Sequence, residues 1–261
     1  MNKNPLPLAL GFVLAFALLT GCVSSRPNPS AVPPQRAAMT SPDAAPVTPR
    51  EIIHAAARQP LSPVAGDGWR SLFDGSSLAG WRVTDFGDEG RVKLREGLLV
   101  FGIGTPFTGV NYTNSVPKLN YEVSLEAMRV EGDDFFCGLT FPVGDSFASL
   151  IVGGWGGTVV GISSIDGEDA SENDASQSMT FATGRWYHIR LRVSEQKLEA
   201  WIDEKPIISV VTTERKLSLR AGDIELSKPF GLASWATGAA FRAIKIRTVA
   251  RLPLQVSLYL D

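Results

Sequence analysis

Between Phe135 and Ile165 the chain passes through three apolar segments, FFCGLTF, FASLIVGG and TVVGISSI, separated only by turns rich in Gly, Pro and Asp. Short runs of this kind, bounded by turn formers, read as β-strands. They lack the alternation of a half-solvated strand, so they belong in the middle of a sheet with both faces covered. Trp155 interrupts the run among glycines, and the acidic, Ser-rich loop IDGEDASEND follows. A bulky aromatic on a Gly-rich turn beside an acidic loop suits a sugar-binding surface, and it equally suits an ordinary β-turn with a packed tryptophan.

The flanking segments alternate more cleanly. In VKLREGLLVF, Val92 and Leu94 share a face and Glu96-Gly97 forms a hairpin turn before Leu98 and Val100. In LNYEVSLEAMRV, Tyr121, Val123 and Leu125 point one way while Glu122, Ser124 and Glu126 point the other. Two carboxylates four residues apart on a strand are separated by ~13 Å. Glycoside hydrolysis needs them ~5 to 9.5 Å apart, so Glu122 and Glu126 read as part of a solvated sheet face. The segment RWYHIRLRVSEQKLEAWIDEKPIISV reads as antiparallel strands joined by turns. His188 alternates outward there with Arg190 and Arg192, and with no acidic partner in sequence it reads as a surface residue.

The N-terminus is set apart. Lys3 precedes an apolar run from Leu6 to Leu19, short for a membrane span of ~20 residues, and the run ends at Leu19-Thr20-Gly21-Cys22. That ending resembles the lipobox of bacterial lipoproteins. The resemblance implies a signal peptide over 1–21, lipidation of Cys22, and an exported product held to a membrane by its lipid alone. Val23 after the cysteine points to the outer membrane, facing the periplasm or the surface. From Val23 to Gly66 the sequence is dense in Pro, Ala and Ser, so 22–66 reads as a disordered tether after the lipidated cysteine. Within it, Pro49–Gln59 has the spacing of a short helix, and His54 there reads as solvated. Once Cys22 is acylated Cys137 stands alone, as a buried thiol that behaves as a small hydrophobe. A net charge of −2 without basic clusters excludes nucleic acid as a partner.

Folded structure is expected from Asp67. The segment WRSLFDGSSLAGW resembles the opening of the 3-keto-disaccharide hydrolase domain family through Leu72, Phe73, Asp74, Gly75, Leu78, Gly80 and Trp81. Trp186, Tyr187, Ile189, Val193, Trp201 and Asp203 match a later strand pair of that family. Gly231, Leu232, Phe241, Arg242, Ile244, Lys245 and Ile246 match its last strand, with Ala243 in place of the usual Asn. The resemblance implies an all-β, concanavalin A-like jelly-roll β-sandwich over 67–251, followed by a tail over 252–261. Asp74 and its glycines read as turn formers and Trp81 as a core anchor. The match covers Trp69–Gly102 and Gly184–Thr248 but fails in the centre, so no functional residue is carried over.

Two readings of function follow. In one, the domain hydrolyses a glycosidic bond in a carbohydrate or glycoconjugate, with acid and base drawn from Asp134, Asp166, Glu168 and Asp169 and with Trp155 and Trp235 as stacking platforms. In the other, the same surface is a non-catalytic, lectin-like glycan-binding module of the cell envelope. No strand carries the Glu-x-Asp-x-x-Glu spacing of jelly-roll glucanases. The acidic loop has oxygen ligands enough for calcium but not the order of an EF-hand, so no cofactor is expected, with calcium as the alternative.

Overall fold

The computed structural model describes residues 47–250. Cys22, the signal peptide over 1–21, the first part of the tether and the tail lie outside the described residues. Period-two alternation through most of the domain builds two antiparallel sheets, A and B. In sheet A the order is β13 (Lys205–Val211), β12 (Lys197–Ile202), β11 (Tyr187–Val193), β6 (Tyr121–Glu131), β15 (Gly238–Thr248), β4 (Leu98–Phe101) and β3 (Val92–Arg95), with β1 (Arg70–Ser71) also pairing with β15. In sheet B it is β10 (Gln177–Ser178), β9 (Val159–Ser163), β8 (Ser146–Gly153), β7 (Cys137–Val143), β14 (Gly231–Trp235), β5 (Phe107–Tyr112) and β2 (Trp81–Val83). Sequence neighbours β7, β8 and β9 are adjacent and away from the sheet's edges, as their continuous apolar character requires. The strand before β14 in the chain, β13, lies in the other sheet, and such crossings between layers mark the jelly-roll sandwich.

One face of each sheet fills the shared core. Val123, Leu125 and Ala127 of β6 meet Leu139 and Phe141 of β7 and Leu150 and Val152 of β8 in one buried cluster. Cys137 is fully buried there, and burial raises its thiol pKa far above the ordinary value, so it is inert. Trp81 is an anchor as expected, with its indole N–H donating 2.7 Å to the Leu72 carbonyl. Asp74 is a turn former: its carboxylate accepts the Ser76 and Ser77 amides, each at 2.7 Å. Ala243 sits at φ 52° inside a bulge of β15, in the left-handed region that suits the family's usual Asn better than Ala.

The outer face of sheet A departs from the sequence reading. Glu122 and Glu126 are not solvated; their relative exposures are 0 % and 2 %. Register explains this. Glu122 lies between Arg192 of β11 and Arg247 of β15, and Glu126 between His188 and Arg242. The Glu122 carboxylate is 2.5 Å from both Arg192 Nε and Arg247 Nη2, and the Glu126 carboxylate pairs with Arg242 Nε. His188 is buried as well, 2.8 Å from Ser124 Oγ and 2.9 Å from Glu204, so the acidic partner absent from its own strand comes from the β12–β13 turn.

The described part of the segment assigned to the tether, 47–66, lies on this face. Its helix α1 (Pro49–Ala57) starts with a capping box between Thr48 and Glu51 and with Pro49 in the first turn, which satisfies otherwise orphaned amides. Ile53 and Ala56 are buried against Met128, Val130, Trp186 and Ala240. The Trp186 indole donates to the Ala56 carbonyl at 3.0 Å, Arg242 donates to the carbonyls of Gln59 and Pro60 at 2.8 and 2.9 Å, and the Ser62 amide donates to Glu126 at 2.7 Å. His54 pairs with Glu96 at 2.8 Å while half-exposed. No helix among the described residues is long and apolar enough to cross a membrane.

Candidate functional site

The outer face of sheet B carries a cleft. Outward-facing glycines make room for the rings beside it: a Cβ on Gly138 would lie 3.0 Å from the Phe135 ring, and one on Gly109 would lie 3.1 Å from that of Phe86. The rings settle where side chains are missing. Phe86 stacks on Phe107 with centroids 4.9 Å apart, and Trp235 meets Phe107 edge-on at 4.7 Å. This aromatic wall continues through Phe135, 6.4 Å from Trp235, toward Trp155. Trp155 and Trp235 remain 40 % and 38 % exposed, the two large aromatics left partly open beside an otherwise packed cluster. The lining is completed by Arg220–Ile224 between β13 and β14, where the chain enters a 3-10 helix at Asp223, and by Ser149, Ile151 and Ser163. The cleft encloses about 290 Å³.

Each wall is held from behind. The Arg220–Ile224 loop follows a stretch tied to the acidic loop: Ser164 and Ser218 exchange amide–carbonyl bonds, the Asp166 amide donates to Lys216, and the Ser146 hydroxyl donates to the Leu217 carbonyl. Trp155 sits in a left-handed turn, with φ of 79° at Gly153, 49° at Trp155, 79° at Gly156 and 101° at Gly157. For the glycines this is unstrained, but at a tryptophan it costs roughly 1–3 kcal/mol and persists only where the surroundings fix it. Arg129 and Asp134 lie beneath this turn. Nη2 of Arg129 donates to the carbonyls of Asp134, Gly153 and Gly157, and the Asp134 carboxylate accepts the amides of Phe135 at 2.7 Å and Gly156 at 3.3 Å.

The structure thus brings Trp155 and Trp235 together at one cleft. None of Asp134, Asp166, Glu168 and Asp169 lines it. Asp134 faces the Trp155 turn. Asp166 accepts from the Lys216 amide and the Arg215 guanidinium, which hold its carboxyl below the usual range. Asp169 bonds Ser163 Oγ at 2.8 Å and Ser164 Oγ at 3.2 Å, with Arg220 Nη1 3.2 Å away, so it supports the cleft from one residue further out. Glu168 is exposed on the loop beyond. The carboxylate that does line the cleft is Asp223, beside the cation Arg220. Sequence reasoning missed both because the stretch RAGDIELS has neither period nor motif; its one signal is a polar Gly-containing turn directly before the family's last strands. Among the described residues no three His, Cys, Asp or Glu side chains converge as a metal site. Asp174 of the acidic loop pairs with Arg215 instead.

The sequence profile of a family described as the 3-keto-alpha-glucoside-1,2-lyase-like domain matches residues 68–247. The chain belongs to this family. The match runs through the centre of the domain, where the motif resemblance had lapsed, and it gives the chain a carbohydrate-related role. No curated protein sequence matches the chain. Among solved structures, a protein of unknown function with a galectin-like fold from Bacillus subtilis aligns at 11 % identity and a TM-score of 0.49, over 70 % of this chain and 96 % of its own. The carbohydrate-binding module CBM66 from Bacillus subtilis aligns at 12 % and 0.44, over 65 % and 96 %. The Crh5 transglycosylase in complex with NAG aligns at 12 % and 0.45, over 68 % and 85 %. None of the three reaches a TM-score of 0.5, and the assignment of the sandwich rests on strand order and register.

Proposed function

We propose that this family member is a carbohydrate-binding protein that holds a sugar in the cleft between Trp155 and Trp235. The observation that carries this is the pair of partly open tryptophans on an aromatic wall, in a cleft that Arg220 and Asp223 also line. Aromatic faces suit the C–H surfaces of a pyranose, and a few placed polar groups fix its hydroxyls. Hydrolysis with paired carboxylates finds no pair lining the cleft. The family's name favours a second reading that needs no pair. In a 3-keto-sugar the C2 proton is acidified by the adjacent ketone, so one base suffices for elimination: the proton passes to the base, its electron pair forms the C1–C2 double bond, the C1–O bond breaks, and the leaving oxygen takes the proton back from the base and departs as the alcohol. Asp223 is the carboxylate placed to act as that base.

In a glycan array followed by calorimetry, Trp155→Ala and Trp235→Ala are each expected to weaken binding by roughly 10- to 100-fold, about 1.4–2.8 kcal/mol. Binding unaffected by both changes rejects the cleft. If a 3-keto-disaccharide is cleaved, Asp223→Asn is expected to abolish turnover and leave binding intact. No cleavage of such a sugar, with glycan binding retained, leaves the non-catalytic reading.

The protein is further read as an exported lipoprotein anchored through Cys22, on the strength of the sequence leading to that residue. Cys22→Ala is expected to abolish palmitate labelling and release the protein from the membrane fraction. Membrane association that persists without label rules the anchor out.

A further inference from the structure

We propose that Arg129 and Asp134 are positioning residues that clasp the Gly153–Gly157 turn and so fix the Trp155 ring for stacking, a role that rests on the cleft reading above. Arg129, on β6, is 6 % exposed, and among the described residues no carboxylate forms an ion pair with it. Burial pulls its pKa below the ordinary guanidinium value. The charges of Asp133 and Asp134 offset burial only in part; a buried cation with no carboxylate in contact costs desolvation, so its carbonyl cage calls for an explanation beyond charge pairing.

The cage provides one. Nη2 lies 3.1 Å from the Gly157 carbonyl and 3.4 Å from that of Gly153, the two ends of the turn that carries Trp155. It also lies 3.2 Å from the Asp134 carbonyl, while Nη1 lies 3.4 Å from that of Phe181. A guanidinium presents two separate Nη groups in a fixed plane, so Nη1 reaches Phe181 while Nη2 serves the turn; the single nitrogen of a lysine cannot occupy both places. Asp134 completes the hold, because its carboxylate accepts the amide of Gly156, the residue directly after Trp155, at 3.3 Å. The glycines are shaped to this clasp: a Cβ on Gly153 would lie 2.8 Å from Arg129 Nη2, and one on Gly157 would lie 2.6 Å from the Asp133 carbonyl and 3.2 Å from the same nitrogen. A connection needed only to reverse the chain between β8 and β9 requires two residues. This one is longer, left-handed at a tryptophan, and braced from beneath at both ends.

Fluorine NMR of the full chain labelled with fluorotryptophan tests the clasp, with Trp155→Phe identifying the Trp155 line and the core residue Trp81 reporting on the fold. Arg129→Lys and Asp134→Ala are expected to shift and broaden the Trp155 line while the Trp81 line stays in place, an effect that general loosening of the core would not confine to Trp155. If Arg129→Lys also disturbs Trp81, Asp134→Asn decides, since at constant size it replaces one of the two oxygens that accept the Phe135 and Gly156 amides with an NH2 group. A Trp155 line unchanged in Asp134→Ala and Asp134→Asn, with the Trp81 line intact, overturns the proposal. A Trp155 line that moves in these variants while the parent protein binds no sugar keeps the clasp and removes the cleft reading instead.

Discussion

A chain shortened to begin at Asp67 is expected to unfold roughly 5–15 °C below one beginning at Val47, a loss of about 2–4 kcal/mol for a domain of this size. The cut looks harmless from the sequence, because 47–66 belongs to a Pro- and Ala-rich stretch. In the structure it removes Ile53 and Ala56 from the outer face of sheet A and bares Met128, Val130, Trp186 and Ala240. Burying one side chain the size of Ile or Met contributes ~1.5–3 kcal/mol before the ordering of the segment is subtracted. The cut also takes away the Gln59 and Pro60 carbonyls that accept from Arg242 and the Ser62 amide that donates to Glu126. Calorimetry of the two proteins decides the matter. Equal melting temperatures mean that the segment is a passive tether.

Glu126→Ala is expected to cost about 3–5 kcal/mol, because it leaves Arg242 buried without its carboxylate. Arg242 has a side-chain exposure of only 7 %, and its guanidinium lies over Trp186 at 4.3 Å, where water cannot replace the lost partner. Arg242→Met added to Glu126→Ala is expected to restore much of the loss, since the penalty comes from the orphaned charge and not from the absence of the pair. Chemical denaturation of the two single variants and the double variant gives the coupling. Additive losses exclude it.

Glu122 adds a pH dependence. Burial by itself raises its pKa, but the hydrogen bonds and charges of Arg247 and Arg192 outweigh burial and bring it below the ordinary value of 4.5. A carboxyl whose folded pKa lies below its unfolded value contributes stability that is fully present above the unfolded value and is lost as pH falls through the folded one. Stability is therefore expected to fall below about pH 4.5, and to fall less steeply in Glu122→Gln, measured by denaturation from pH 7 downward.

How far these features could be read without coordinates differs by element. The strands β6, β11 and β15 announce themselves by alternation, and their inward residues are the ones found in the core. Their outward residues were misread. Glu122, Glu126 and His188 show no partner within their own strands, and the partners lie on neighbours tens of residues away or in a turn. Alternation fixes which face a side chain takes and carries no information on what stands opposite or on top. The helix at Pro49–Ala57 was visible from its spacing, but its docking was not, because polyalanine-like surface is silent about the face that will receive it.

At the site, the two tryptophans stood out as large aromatics among turn residues. Their meeting did not, since one follows β8 and the other ends β14, and only the insertion of β7 between those strands brings them to one cleft. Asp223 and Arg220 stayed hidden in an aperiodic loop.

The sequence by itself determined the all-β class, the family, the turn at Asp74 and the anchor at Trp81, and it singled out Trp155 and Trp235 but not Phe107 and Phe135. Each of these depends on local pattern: period two, turn chemistry, or a motif contiguous along the chain. Tertiary structure alone decided that Asp134 braces the Trp155 turn from outside the cleft, that Asp223 lines it, and that the charges of sheet A are buried in matched rows under the N-terminal segment. Those outcomes depend on strand order and cross-strand register, which are set by the packing of the whole sandwich and leave no trace in any single stretch of residues.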